Sequence, residues 1–174
     1  PKTGKTDSLL ISYQGKLIFE SYFRRGRINY PHYQMSITKS YTAMALGRAI
    51  QLGHLTMADL GKPVISSYHW QSDISGLPKS AADSSFRSRD MLKMGMLVLD
   101  KGKWQGQQLI PAAFVKRATS PIRHTHGKSS YGYFWWVQDV DIDGKTYHCK
   151  QGRGAGGQFI FMFPELELIA VVTA

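Results

Sequence analysis

The sequence holds one cysteine, Cys149, and one asparagine, Asn29. A lone cysteine excludes an internal disulfide and argues against a cysteine metal site. No apolar run reaches the ~18 residues of a membrane-spanning helix, and no signal-peptide pattern opens the chain. It begins at Pro1 without a methionine, which leaves its compartment open. Acidic residues are also sparse, 12 against 22 lysines and arginines, for a formal net charge of +10. That excess raises the question of a nucleic-acid partner. The basic residues are scattered, however, with Arg24, Arg25 and Arg27 the only tight cluster, and no familiar nucleic-acid motif is present. The expectation is a basic solvated surface and no nucleic-acid partner. What is present is apolar and aromatic: 43% and 12% of 174 residues, enough for one domain with a real core.

Residues 1–7 read as a polar tail, and Lys2-Thr3-Gly4 within it as a coincidental motif. Two apolar segments, 8–13 and 16–23, flank Gln14-Gly15 as a β-hairpin. Arg24 to Tyr33 is a loop. Residues 34–53 carry Ile37, Tyr41, Met44, Ala45 and Leu52 at spacings of three and four, a helix closed by Gly53. An irregular span rich in Ser, Gly, Pro and Asp then runs to about Ser85. A second helix is expected over Arg87 to Gly102, its methionines serving as core filler, and a third from Pro111 to about Thr119. The rest is β-like: 131–137, 145–150, 158–163 and 168–173. This order predicts an α+β fold, a mainly antiparallel sheet flanked by helices, with no internal repeat.

The helix from 34 to 53 carries the strongest chemical signal. Ser36 falls at its N-cap or first turn, and Lys39 lies about one turn on, on the same side. A serine nucleophile needs a base within reach and a field that favours developing negative charge, and a helix N-terminus supplies the field. Spacing alone also fits a capping serine with a surface lysine one turn later. His124, His126 and His148 make no convincing metal set, and Asp139, Asp141 and Asp143 suit a hairpin turn at Gly144 better than a calcium loop. No metal and no cofactor is expected.

Taken in order, several segments resemble the serine β-lactamase and penicillin-binding-protein superfamily, in its class C β-lactamase-like, esterase-type branch. They are Gly15-Lys16-Leu17-Ile18-Phe19-Glu20, Ser36-Ile37-Thr38-Lys39-Ser40, Gly53-His54-Leu55 with Asp59, and Arg89-Asp90-Met91. Gly102-Lys103-Trp104, Tyr131-Gly132-Tyr133-Phe134-Trp135-Trp136 and Gly154-Ala155-Gly156-Gly157-Gln158 complete the set. The resemblance implies a β-lactamase/transpeptidase-like fold and a hydrolase working through an acyl-enzyme on a small ester, amide or β-lactam. Ser36 would be the nucleophile and Lys39 its proton partner. The Ser36 N–H and the strand near Gly154, Ala155, Gly156 and Gly157 would form the oxyanion site. Tyr131, Tyr133 and Trp135 are candidates for the substrate cleft, with core packing as the plainer alternative; Trp136 is a further candidate, one of the two tryptophans being expected to face the core. The glycine run also reads as an ordinary turn between strands. By resemblance the protein would be bacterial, periplasmic or secreted, with a small-molecule substrate as its partner.

Two departures stand against that resemblance. The family's second motif, Tyr-x-Asn or Ser-x-Asn, cannot exist in a chain whose single asparagine precedes the serine. The long helical insertion that carries this motif is also missing, as is a helix expected after Thr173. The expectation is one β-lactamase-like domain over 1–174 with a segment missing between about 58 and 84; a truly short protein is the alternative. A catalytically inactive binding protein of the same fold is the competing functional reading.

Overall fold

The computed structural model describes residues 5–54, 69–70 and 81–174. In chain order these form β1 (Ser8–Tyr13), β2 (Lys16–Tyr22), β3 (Pro31–Tyr33), α1 (Ile37–Gln51), β4 (His69–Trp70), β5 (Ser84–Arg87) and α2 (Ser88–Leu99). Then come β6 (Lys103–Trp104), β7 (Gln107–Gln108), α3 (Ala112–Ala118), β8 (Arg123–His126), β9 (Ser129–Tyr131), β10 (Trp136–Ile142), β11 (Lys145–Gly154), β12 (Gln158–Phe163) and β13 (Leu168–Thr173). Eight strands make one sheet in the order β2-β1-β13-β12-β11-β10-β9-β8, antiparallel throughout. The expected α+β architecture is therefore observed.

Alternation along the strands decides which sheet face becomes core. Leu10, Val171, Ile160, Ile169 and Met162 point to one face and are at most 1% exposed. Against them pack Met91, Leu92 and Val98 of α2 and Ile37, Tyr41 and Met44 of α1, in a single cluster. Each such side chain contributes roughly 1.5–3 kcal/mol by leaving water. Polar residues on the inner face satisfy one another: Ser8 Oγ lies 2.6 Å from both Ser88 Oγ and Thr173 Oγ1. The β1–β2 hairpin turns at Gln14 and Gly15, both with positive φ (48° and 73°), as a two-residue turn requires.

Four expectations are corrected. Asp7 does not belong to a free tail: it is fully buried, its N–H donates to Thr173 O, and its carboxylate takes Arg25 Nη2 at 2.8 Å. This accounts for part of the arginine cluster, since Arg25 and Arg24 flank that buried charge. The aromatic segment 131–137 is not one strand. Phe134 adopts φ +61° and breaks it between β9 and β10. The next strand does not stop at Lys150 but runs through the glycines to Gly154. Finally, the loop 24–33 ends in β3, which pairs with β5. The motif-like Lys2-Thr3-Gly4 and most of the irregular span from Leu60 to Ser85 fall outside the described residues.

Candidate active site

A buried glutamine holds the chain where it enters α1. Gln34 is fully buried; its N–H donates to Ser84 O at 2.8 Å and its Nε2 to His32 O at 2.7 Å. Tyr41, inside α1, donates to Gln34 Oε1 at 3.4 Å. Met35 follows with φ +48°, a left-handed conformation that costs a non-glycine residue roughly 1–2 kcal/mol. The first turn of the helix is tight. Ile37, Thr38 and Lys39 N–H groups donate to Gln34, Met35 and Ser36 carbonyls at 3.1, 3.1 and 3.2 Å.

That tight turn exposes Ser36 and leaves its hydroxyl free of a capping role. It also brings residue i+3 over residue i, as 3₁₀-type bonding does. Lys39 Nζ accordingly donates to Ser36 Oγ at 3.0 Å and to Ala81 O at 2.6 Å. Two neighbouring hydroxyls pin the turn from the other side. Thr38 Oγ1 lies 2.6 Å from Ser84 Oγ, and Ser40 Oγ donates to Phe134 O at 2.7 Å.

β11 forms the opposite wall. Its pairing with β10 ends at Trp136–Gln151, whereas pairing with β12 continues to Gly154–Gln158. Among the described residues, 152–154 therefore have one open edge, created by the Phe134 break. The edge lies hard against the serine segment: a Cβ on Gly154 would sit 2.5 Å from Gln34 O, and one on Gly152 3.4 Å from Ile37 Cγ2. Glycine at 154 permits this close approach, whereas a Cβ at 152 would make ordinary contact.

Between these walls lies an open cleft of about 390 Å³. Ser36 and Lys39 line it together with Gly154 and Ala155. Among the described residues, neither the Ser36 nor the Ala155 backbone N–H has an acceptor. Tyr131, Phe134 and Trp136 supply an aromatic side, and burial raises the Tyr131 pKa, keeping it a neutral phenol near pH 7. Arg153 also reaches the cleft. Its Nε and Nη2 donate to Gln151 Oε1 and Gln138 Oε1, each at 2.7 Å, and it stacks 4.6 Å from the Trp136 ring. Burial lowers the Arg153 pKa, although an arginine keeps its proton regardless.

No protein-family model matches the chain, and no curated protein sequence matches it. Solved structures do match in three dimensions. A Bacillus anthracis protein assigned as a 6-aminohexanoate-dimer hydrolase superposes over 98% of this chain and 74% of its own, with a TM-score of 0.77 at 14% identity. A penicillin-binding protein from Bacillus halodurans covers 96% of this chain and 91% of its own, with a TM-score of 0.65 at 12% identity. EstCE1, described as a hydrolase with promiscuous acyltransferase activity, covers 96% and 87%, with a TM-score of 0.69 at 10% identity. The chain has the serine β-lactamase and penicillin-binding-protein fold.

Within this β-lactamase-like fold, five of the residues singled out in the sequence come together: Ser36, Lys39, Gly154, Ala155 and Tyr131 line one cleft. The others lie elsewhere. Gly156, at φ +89°, turns toward a neighbouring hollow, and Gly157 approaches Ala174. Tyr133 packs on Phe114 at 5.9 Å. Trp135 is completely buried in the core, so it is corrected as a cleft residue; its neighbour Trp136 takes that place. Phe134, Arg153 and Phe159 also line the cleft and were not anticipated. Strand alternation could not have flagged Arg153, since it puts Arg153 on the face opposite Gly152 and Gly154, which approach the serine segment. Among the described residues, no three potential metal ligands cluster. No helix among them is long and apolar enough to cross a membrane.

Proposed function

We propose that this protein is a serine hydrolase of the β-lactamase-like fold that acts through an acyl-enzyme on a small ester or amide. The observation that carries the reading is the 3.0 Å contact between Lys39 Nζ and Ser36 Oγ at the mouth of a cleft walled by a free strand edge. In its neutral form Lys39 takes the Ser36 proton as Oγ bonds to the substrate carbonyl carbon. The carbonyl oxygen becomes an oxyanion facing the free N–H groups of Ser36 and Ala155. The tetrahedral intermediate then collapses, the leaving alcohol or amine departs with that proton, and the acyl group stays on Oγ. Water attacks the ester carbon in turn as Lys39 accepts its proton; the second tetrahedral intermediate collapses, Oγ leaves and takes that proton from Lys39, and the acid is released.

An ester or small amide is favoured over a penicillin because the run Gly154-Ala155-Gly156-Gly157, which stands where the resembled family keeps Lys-Thr-Gly, is glycine-rich and carries no such triplet. The deciding experiment is intact-mass analysis after treatment with a serine-acylating probe, beside p-nitrophenyl acetate turnover. A single adduct mapping to Ser36, lost in Ser36→Ala together with turnover, is the expected result. Turnover unchanged in Ser36→Ala refutes the proposal. A second reading, an inactive binding protein of the same fold, is favoured by one observation: the only asparagine, Asn29, precedes the serine, which leaves no Tyr-x-Asn partner. That reading predicts no adduct and no turnover.

A further inference from the structure

Behind the Ala155–Gly156 turn lies a second hollow of about 330 Å³, lined by Tyr30, His32, Tyr33, Met35, Ala155 and Gln158 among others. It adjoins the Ser36 cleft, because Ala155 borders both. Met35, the residue before the serine, lines it as well.

Two side chains in its lining are left incomplete. His32 is 2% exposed and Gln158 5% exposed, yet His32 Nε2 and Gln158 Oε1 have no hydrogen-bond partner. The amide orientation of Gln158 is not arbitrary, since its Nε2 donates to Ala174 O at 2.6 Å. The orphan atom is therefore an acceptor that lacks a donor. Buried polar groups are paired in the great majority of cases, so each of these two residues of the lining lacks one bond that a guest in the hollow can supply once the side chain turns to it.

The charge of the hollow narrows the ligand further. Arg25 also reaches it, but Arg25 Nε and Nη2 are held by Asp7 Oδ2 at 3.1 and 2.8 Å, and Asp7 is fully buried. The one cation is thus matched. Burial lowers the His32 pKa, opposed by Asp7 and aided by Arg25, so the imidazole is neutral near pH 7. A neutral imidazole offers one donor and one acceptor and adapts its tautomer to the guest. Tyr30 and Tyr33, 43% and 40% exposed, give the hollow flat aromatic sides.

We propose that this hollow is a second subsite of the Ser36 cleft that takes an uncharged, hydrogen-bond-donating end group, a primary amide above all, of the substrate. This rests on the hydrolase reading for the word substrate, not for the binding itself. A carbonyl seated between the Ser36 and Ala155 N–H groups would send one substituent along the open edge of β11. The other would pass over the Ala155–Gly156 turn to Gln158 and His32. A carboxylate is disfavoured there because Gln158 Oε1 can only accept.

The test is a ¹⁵N chemical-shift titration of the Ser36→Ala chain with benzamide, benzoate and methyl benzoate. Benzamide is expected to move the Gly156 amide and the Gln158 side-chain NH₂ with a Kd of about 10 mM, ordinary for a fragment of this size. Benzoate and methyl benzoate should bind at least ~10-fold more weakly. Gln158→Leu should erase that preference, and Tyr33→Ala, at an exposed wall, should weaken all three. Equal affinity for the three compounds, or shifts confined elsewhere, overturns the proposal, as does no binding at all, which leaves water as the partner of both atoms. Benzamide binding at this site in a protein whose Ser36 takes no acyl probe would uphold the subsite and sink the hydrolase reading instead.

Discussion

Substituting alanine for glycine at two positions two residues apart separates steric from conformational control of the site. At Gly154 the new Cβ would meet Gln34 O at 2.5 Å, where ordinary contact begins near 3.4 Å, so the two backbones must part by 0.9 Å (3.4 − 2.5). The obstacle is a carbonyl oxygen on a segment that Ser84 also tethers, and neither side can swing away as a side chain would. Overpacking of this kind costs about 2–3 kcal/mol. At roughly 2–4 °C per kcal/mol for a domain of this size, Tm should fall by about 4–12 °C. At Gly156 a Cβ would meet nothing within 4 Å, but φ is +89°, and the loss comes only from the backbone conformation, about 1–2 kcal/mol. Function should divide the pair more sharply than stability does. A displacement near 1 Å between Ser36 and the β11 edge is worth about 10²-fold in rate, whereas Gly156→Ala leaves that spacing alone. The assay is the rate of Ser36 labelling by an acylating probe below each variant's melting range, with Tm read by calorimetry. Gly154→Ala labelling at the wild-type rate, or the two variants falling equally in both measurements, would refute the idea that strand proximity sets the site.

Other consequences can be measured independently. Lys39→Met should retain the fold, since Lys39 Nζ touches only Ser36 and Ala81 among the described residues, and should slow acylation about 10²–10⁴-fold; normal acylation would remove Lys39 from the reaction. Cys149 is 1% exposed and burial pushes its thiol up to about 11, so the native protein should resist a thiol reagent at pH 8 and react fully only after denaturation. Rapid native modification would contradict that burial. Glu20 is held below its ordinary 4.5 first by the Arg89 hydrogen bonds, at 2.7 and 2.6 Å. Its folded pKa being the lower one, the stabilisation is whole above about pH 4.5 and lost as pH falls through the folded value. Arg89→Met should therefore flatten the acid limb of the stability curve, and an unaltered limb would show that the pair contributes nothing there.

Much of this architecture can be read from residue order because local chemistry and tertiary packing agree in most elements. The Gln14-Gly15 hairpin, α1 and its closing Gly53 at φ +71°, and the Asp143-Gly144 turn all form where turn chemistry places them. The failures occur where a non-local demand wins. Phe134 interrupts an unbroken aromatic run by turning left-handed at φ +61°, and strand-forming aromatics on both sides give no local sign of that break. The glycines at 152 and 154 look like a turn until α1 is laid against them. Asp7 looks like solvated tail until the final strand and Arg25 close over it. Ser36 and Lys39 are legible as a pair because three residues on a helix bring side chains together whatever the rest of the chain does. Arg153 and the His32–Gln158 hollow are not, since each is assembled from elements far apart in sequence.

The close seat of Gly154 also decides where the chain can change length. The Asp143-Gly144 turn is exposed and a Cβ on Gly144 would meet nothing within 4 Å, so added residues there loop out into solvent without moving β11, whose register β10 and β12 hold from both sides. A one-residue slip within the strand is another matter, since it would carry Arg153 or Ala155 into the place of Gly154, against Gln34 O. The Ala155–Gly156 turn has no such latitude either, because Ala155 borders both the cleft and the second hollow. The far tip of the hairpin is thus the free end of the strand, and its glycine end the fixed one.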